Sequence, residues 1–182
     1  MRYLNSIFAA FVALVLFSTP LVAQIKALDG LFEELADPGF KGWEEVEQKI
    51  WSEWSHSGSP AMDLLLERGR AAMENGDWEA AIEHLTALTD HAPDFAEGWN
   101  ARATAYYQAG QYGPSLSDIR RTLALEPRHF GAISGLAMIL EELGQPEAAL
   151  KAYREVLAIH PNQPNLKEKI ERLDKEVGGT AL

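Results

Sequence analysis

The sequence predicts an all-α fold: a solenoid of three 34-residue helical hairpins, preceded by a divergent helical pair and closed by a capping helix. Glycines Gly76, Gly110 and Gly144 fall 34 residues apart, and prolines Pro93, Pro127 and Pro161 keep the same step. Small and large apolar residues recur between them in that register. With 182 residues, 47% of them hydrophobic and none of them cysteine, the chain must be held by packing. A disulfide framework, a thiol nucleophile and Cys-ligated metal are excluded.

Residues 1–23 read as a signal peptide. One charge, Arg2, precedes the apolar run Ile7 to Phe17, and Ser18-Thr19-Pro20-Leu21-Val22-Ala23 supplies a Pro-containing turn and a small residue at the expected cut after Ala23. An uncleaved anchor is the rival reading, but Ile7 to Ala23, interrupted by Pro20, lies at the short limit of a bilayer span. No cysteine is available for a lipid anchor. The expected product is periplasmic or secreted, begins at Gln24 and keeps no stable membrane span.

Residues 24–58 read as a helical pair. Lys26 to Ala36 suits one short helix, Asp37-Pro38-Gly39 breaks it, and Trp43, Val46, Ile50 and Trp54 keep helical spacing on a second. The pair is expected to stack before the first repeat as a degenerate hairpin or cap. Trp43, Trp51 and Trp54 read as core and capping contacts and not as an aromatic binding site, because an aromatic stripe is an ordinary cover for a solenoid end. Whether the pair is a true fourth repeat or a dimerisation surface stays open. Ser57-Gly58-Ser59-Pro60 ends it, with Ser59 as N-cap and Pro60 in the first turn of the next helix.

Residues 59–163 hold the repeats, at about 60–93, 94–127 and 128–161. Each glycine closes a first helix where positive φ is favoured, and each proline closes a second helix it cannot continue. Large residues recur at Leu65, Trp99 and Ile133, and small ones at Gly69, Ala103 and Ala137 and at Ala81, Ser115 and Ala149. Other columns are Ala72, Tyr106 and Leu140; Leu85, Ile119 and Tyr153; and Leu88, Thr122 and Val156. The small residues let paired helices approach while the large ones fill the space between them.

Trp99, Ala103, Tyr106, Gly110, Ser115 and Pro127 together resemble the tetratricopeptide repeat. The resemblance covers about residues 60–163 and implies a right-handed α-solenoid with a concave surface that holds a peptide or helix of a partner. Two departures stand out. Ala72 occupies a position usually aromatic, and Arg68 and Arg102 occupy one usually Leu, where an arginine with its stem packed and its head in solvent is expected.

Residues 164–177 read as the capping helix, with Leu166, Ile170, Leu173 and Val177 on one stripe and charges around the rest. Residues 178–182 are expected to fray.

The chain carries 16 Lys plus Arg against 27 Asp plus Glu, a net charge of −11, which argues against a nucleic-acid partner. No phosphate loop, dinucleotide fingerprint, His-Glu-x-x-His or Gly-x-Ser-x-Gly occurs, so no catalytic residue, cofactor or metal is assigned. Gly131-Ala132-Ile133-Ser134-Gly135 has its serine misplaced and reads as helix packing. His84 and His91, beside Asp90, lack a third ligand and read as surface histidines. The carboxylate pairs Glu33-Glu34, Glu44-Glu45 and Glu141-Glu142 diverge around their helices and read as solvated faces.

The first helix of each hairpin leaves a second stripe for the concave side. Stacked, it forms the rows Leu66, Asn100 and Ser134; Arg70, Thr104 and Met138; Met73, Tyr107 and Glu141; and Glu74, Gln108 and Glu142. By the resemblance these line the partner groove. Family members that grip a carboxyl-terminal chaperone peptide use basic and Asn residues, whereas the matching positions here are Leu66, Arg70, Ala101, Gly131 and Gly135, only one of them basic. The reading is therefore a non-enzymatic periplasmic adaptor that binds a protein or peptide of the envelope. The alternatives are an assembly helper, as in cytochrome c maturation, and a membrane-anchored enzyme subunit. Oligomeric state is not legible.

Overall fold

A computed structural model describes residues 27–180, and residues 1–23, read above as a signal peptide, lie outside them. The described chain is all-helical. A helix over residues 27–35 (α1) and α2 (Trp43–Trp54) form the N-terminal pair. The three hairpins are α3 (Pro60–Glu74) with α4 (Trp78–His91), α5 (Ala96–Gln108) with α6 (Tyr112–Leu125), and α7 (Phe130–Glu142) with α8 (Pro146–Ile159). Helix α9 (Leu166–Thr180) follows. No described helix is long and apolar enough to cross a membrane.

One turn is built three times. Gly76, Gly110 and Gly144 have φ of 73°, 72° and 66°, the left-handed region that a Cβ disfavours. In each, the glycine N–H and the next N–H reach back to the last helical carbonyls: Gly76 to Met73 at 2.9 Å and Asp77 to Ala72 at 2.9 Å, and the same pair at the other two. The second helices end where Ala92, Glu126 and His160 turn extended before a proline.

The repeated columns become the core. Leu85, Ile119 and Tyr153, and Leu88, Thr122 and Val156, are all buried. At Gly69 an added Cβ would stand 2.5 Å from Leu85 Cγ, so the missing side chain sets the closeness of α3 and α4. Ser115, in an alanine column, donates its hydroxyl to the Ala103 carbonyl at 2.7 Å. Arg102 departs from expectation. Its head lies over Trp99 and is gripped by both carboxylate oxygens of buried Asp118, at 2.7 and 3.0 Å. A buried carboxylate on α6 draws the guanidinium inward.

The N-terminal pair does not stack on the first repeat. It folds back along the solenoid as a strap and packs on the third. Trp51 and Trp54 meet Phe130, Trp43 meets His160, and Arg128 donates to Asp29 at 2.8 Å. Asn162 donates to the Asp37 carbonyl at 3.0 Å. Phe32, Leu35, Val46, Ile50 and Trp54 thus join one core with residues of α7, α8 and α9. The reversal falls at Gly58, with φ of 82°. Ser59 takes the N-cap position of α3 but makes no cap bond with its hydroxyl. Asp63 instead accepts from the Ser57 N–H at 2.7 Å and hydroxyl at 2.6 Å, tying the hinge loop to α3. Leaving the first repeat uncapped exposes Leu64 on α3 at 45%.

Helix α9 buries Leu166, Ile170 and Leu173 as its stripe requires. It runs on through Gly178 and Gly179 to Thr180, so the expected fraying there is not seen; residues 181–182 lie outside the described chain.

Candidate functional site

Helices α5 and α7 face each other across a hollow of about 170 Å³. Its walls are Asn100, Thr104, Tyr107 and Gln108 from α5 and Ser134 and Met138 from α7. Ala103, Ile119, Ala132 and Ile139 make an apolar floor, and Gly131 and Gly135 line one side. None of its lining residues is charged. Tyr107 stacks on Tyr112 with ring centres 5.7 Å apart. Burial first, and then the Glu142 carboxylate, hold its hydroxyl above the usual range, so it stays a neutral donor. The Ser134 hydroxyl oxygen is buried without a hydrogen-bond partner.

Six of the ten residues assigned to the groove from sequence therefore meet in one place. The other four do not. Leu66 is buried in the core between the first two hairpins, and Met73 packs against that core. Glu141 accepts from the Tyr153 hydroxyl at 2.7 Å and pairs with Arg172 of α9, so it is a structural link and not a solvated face. Those donors hold its carboxyl below the usual range against the burial that would raise it.

Arg70 is committed as well. Its Nη2 donates to Glu97 at 2.5 Å and its Nη1 to the Ser55 hydroxyl at 3.0 Å. Buried Glu97 also accepts from Asn100 Nδ2 at 3.0 Å and from His129 Nε2 at 3.0 Å. His129 Nδ1 accepts the Ala132 N–H at 3.2 Å, capping α7, which leaves Nε2 as the donor to Glu97. The Trp54 ring stacks on this imidazole at 4.0 Å.

Sequence reasoning missed Glu97, His129 and His160. The 34-residue step aligns Glu97 with Asp63 and Gly131 and His129 with Phe95, so neither column repeats one chemistry and only Arg70 hinted at a carboxylate partner. His91 is exposed and His84 half-buried; the fully buried histidines are 129 and 160. Among the described residues no three His, Asp or Glu side chains stand close enough to hold a metal ion.

Stacked helical hairpins built three times on one turn geometry define a helical repeat scaffold. The tetratricopeptide repeat family model matches residues 66–113 and 100–164, and the chain belongs to that family. It is 37% identical over 155 residues to a TPR repeat-containing protein of Rhizobium etli, covering 84% of this chain and 75% of that one. The small glutamine-rich tetratricopeptide repeat-containing protein 2 of Saccharomyces cerevisiae is 30% identical over 136 residues, 74% of this chain and 39% of its own length. Among solved structures, the first TPR of Spaghetti (RPAP3), bound to an HSP90 peptide, has a TM-score of 0.63 at 24% identity, covering 66% of this chain and 95% of that one. That likeness shows the fold.

Proposed function

We propose that this protein is a non-enzymatic adaptor, exported to the bacterial periplasm, that holds a segment of another envelope protein against the hollow between α5 and α7. The carrying observation is the hollow itself: uncharged, apolar at its floor, and rimmed by hydroxyls and amides that suit a peptide backbone. The RPAP3 domain of like fold is bound to a peptide, which supports the reading. An acidic carboxyl-terminal peptide fits poorly. Arg70, the one basic clamp position, already holds Glu97 inside the protein, and the chain carries a net charge of −11. The layout of residues 1–23 supports export.

A pull-down from periplasmic extract tests the groove, comparing the natural protein with a Tyr107→Ala, Gln108→Ala double variant. An adaptor loses one specific partner, a general folding helper loses many weak ones, and retention of every partner refutes the groove. Amino-terminal sequencing tests export, since protein recovered from the periplasm begins at Gln24. Material confined to the cytoplasm and retaining Met1 refutes it.

A further inference from the structure

We propose that the hollow is an anchor site for one leucine- or methionine-sized side chain, carried on a partner segment whose flanking residues are basic or neutral. This rests on the groove reading above and sharpens it. Three observations carry it. The hollow, about 170 Å³, is well below the ~300–1,000 Å³ of small-molecule sites, which suits a single side chain. Its opening belongs to the third repeat alone. Gly131 and Gly135 lie one turn apart on α7, where the 34-residue step places Glu97 and Ala101 in the second repeat and Asp63 and Glu67 in the first. The absent side chain at Gly135 leaves the floor of Ala132, Ile119 and Ile139 uncovered, while Trp51 of α2 fills the space beside Gly131.

The polar rim fixes how the anchor is presented. Thr104 and Gln108 stand exposed one turn apart on α5, and on the α7 wall the Ser134 hydroxyl oxygen is buried without a hydrogen-bond partner. Charge selects the flanks. No lining side chain is charged and the chain carries a net charge of −11, so a lysine or arginine beside the anchor is attracted and a glutamate repelled.

Gly135 gives a clean perturbation. A Cβ there meets only Ile119 Cδ1 at 3.6 Å, an ordinary contact, so Gly135→Leu fills the hollow from inside while raising helix propensity. The probe is a synthetic twelve-residue peptide with a central leucine flanked by lysines, against versions with the leucine replaced by glycine or the lysines by glutamates. Binding is read by fluorescence anisotropy and by the methyl resonances of ¹³C-methyl-methionine protein. Met138 lines the hollow, whereas Met62 and Met73 pack on the core between the first two hairpins.

The lysine-flanked peptide is expected to shift Met138 and leave Met62 and Met73 unmoved. Losing the leucine, or making Gly135→Leu, should weaken binding roughly 10- to 100-fold with no fall in melting temperature. An unmoved Met138, equal binding of the glutamate-flanked peptide, or binding indifferent to Gly135→Leu overturns the proposal. If Tyr107→Ala, Gln108→Ala abolishes partner capture while Gly135→Leu does not, the groove reading stands and the anchor falls; if neither variant matters, both fall.

Discussion

Adding one methyl group at Gly131 should destabilise this protein, although glycine-to-alanine changes in helices ordinarily stabilise by up to about 1 kcal/mol. Gly131 is the second residue of α7, and its ideal Cβ would stand 2.6 Å from Trp51 Cη2 and 3.2 Å from Cζ2. The Trp51 ring cannot simply swing aside. Edge-on contacts with Trp54, His129 and Phe130 hold it, and its Nε1 donates to Glu47 at 3.3 Å. Overpacking of this kind costs about 1–3 kcal/mol, so the net loss is expected at about 0–2.5 kcal/mol once the helix gain is subtracted. In a Trp51→Ala background the obstruction is gone and the same change should stabilise. Gly113→Ala is the control, because Gly113 holds the same second position in α6 with nothing within 4 Å of its added Cβ. Denaturant unfolding followed by circular dichroism of the four proteins gives a double-mutant cycle, with an expected coupling of about 1–3 kcal/mol. Coupling below about 0.5 kcal/mol, with Gly131→Ala stabilising in both backgrounds, would show that the strap does not lie on the third repeat.

His160 should make stability depend on pH. Burial pushes its pKa below the ordinary 6.5, against the pull of Glu47, so the unfolded chain takes up that proton first; stability is full above pH 6.5 and is lost as pH falls below it. Replacing His160 with Gln should flatten the dependence of the denaturation midpoint below about pH 6.5, and an unchanged slope would refute the assignment. Glu97→Gln should cost about 2–4 kcal/mol in chemical denaturation, because a buried carboxylate that joins Arg70, Asn100 and His129 is replaced by a group that cannot accept from all three. Arg102→Leu restores the residue usual for the repeat yet should destabilise by about 2–4 kcal/mol, since it strands Asp118, which is 4% exposed; a stabilised variant would show that the ion pair is dispensable.

What was legible in the sequence is what repeats. The glycine turns, the proline stops and the columns ending in Leu85, Ile119 and Tyr153 state a local geometry three times over, and a stripe such as Leu166, Ile170 and Leu173 announces which side of its helix is buried. A stripe does not say against what. Trp43, Val46, Ile50 and Trp54 mark the buried side of α2, but their partners Phe130 and His160 lie across the chain and outside the repeat columns, so stacking on the nearest repeat was the natural expectation. The groove rows failed for a related reason. Extending α5's inward positions to α3 assumes equal surroundings, whereas Glu97 draws Arg70 into a buried network and α9 draws Glu141 away through Arg172. Polar pairing between distant residues leaves no periodic trace.

That pairing alters what kind of solenoid this is. Stacked hairpins normally couple each repeat only to its neighbours, so an end repeat can fray while the rest persists. Here one buried carboxylate collects a donor from each repeat: Arg70 of the first, Asn100 of its own, and His129 of the third. The strap adds a second bridge, since Ser55 accepts from Arg70 while the neighbouring Trp54 stacks on His129. Fraying the first repeat would remove Arg70 from Glu97 and leave the buried carboxylate without its charged partner, a desolvation cost of several kcal/mol that a nearest-neighbour stack does not face. The three hairpins are thereby held at one mutual angle before any partner arrives. A hollow whose walls come from different repeats is preorganised, so a segment docked there would not bear the entropy cost of ordering them.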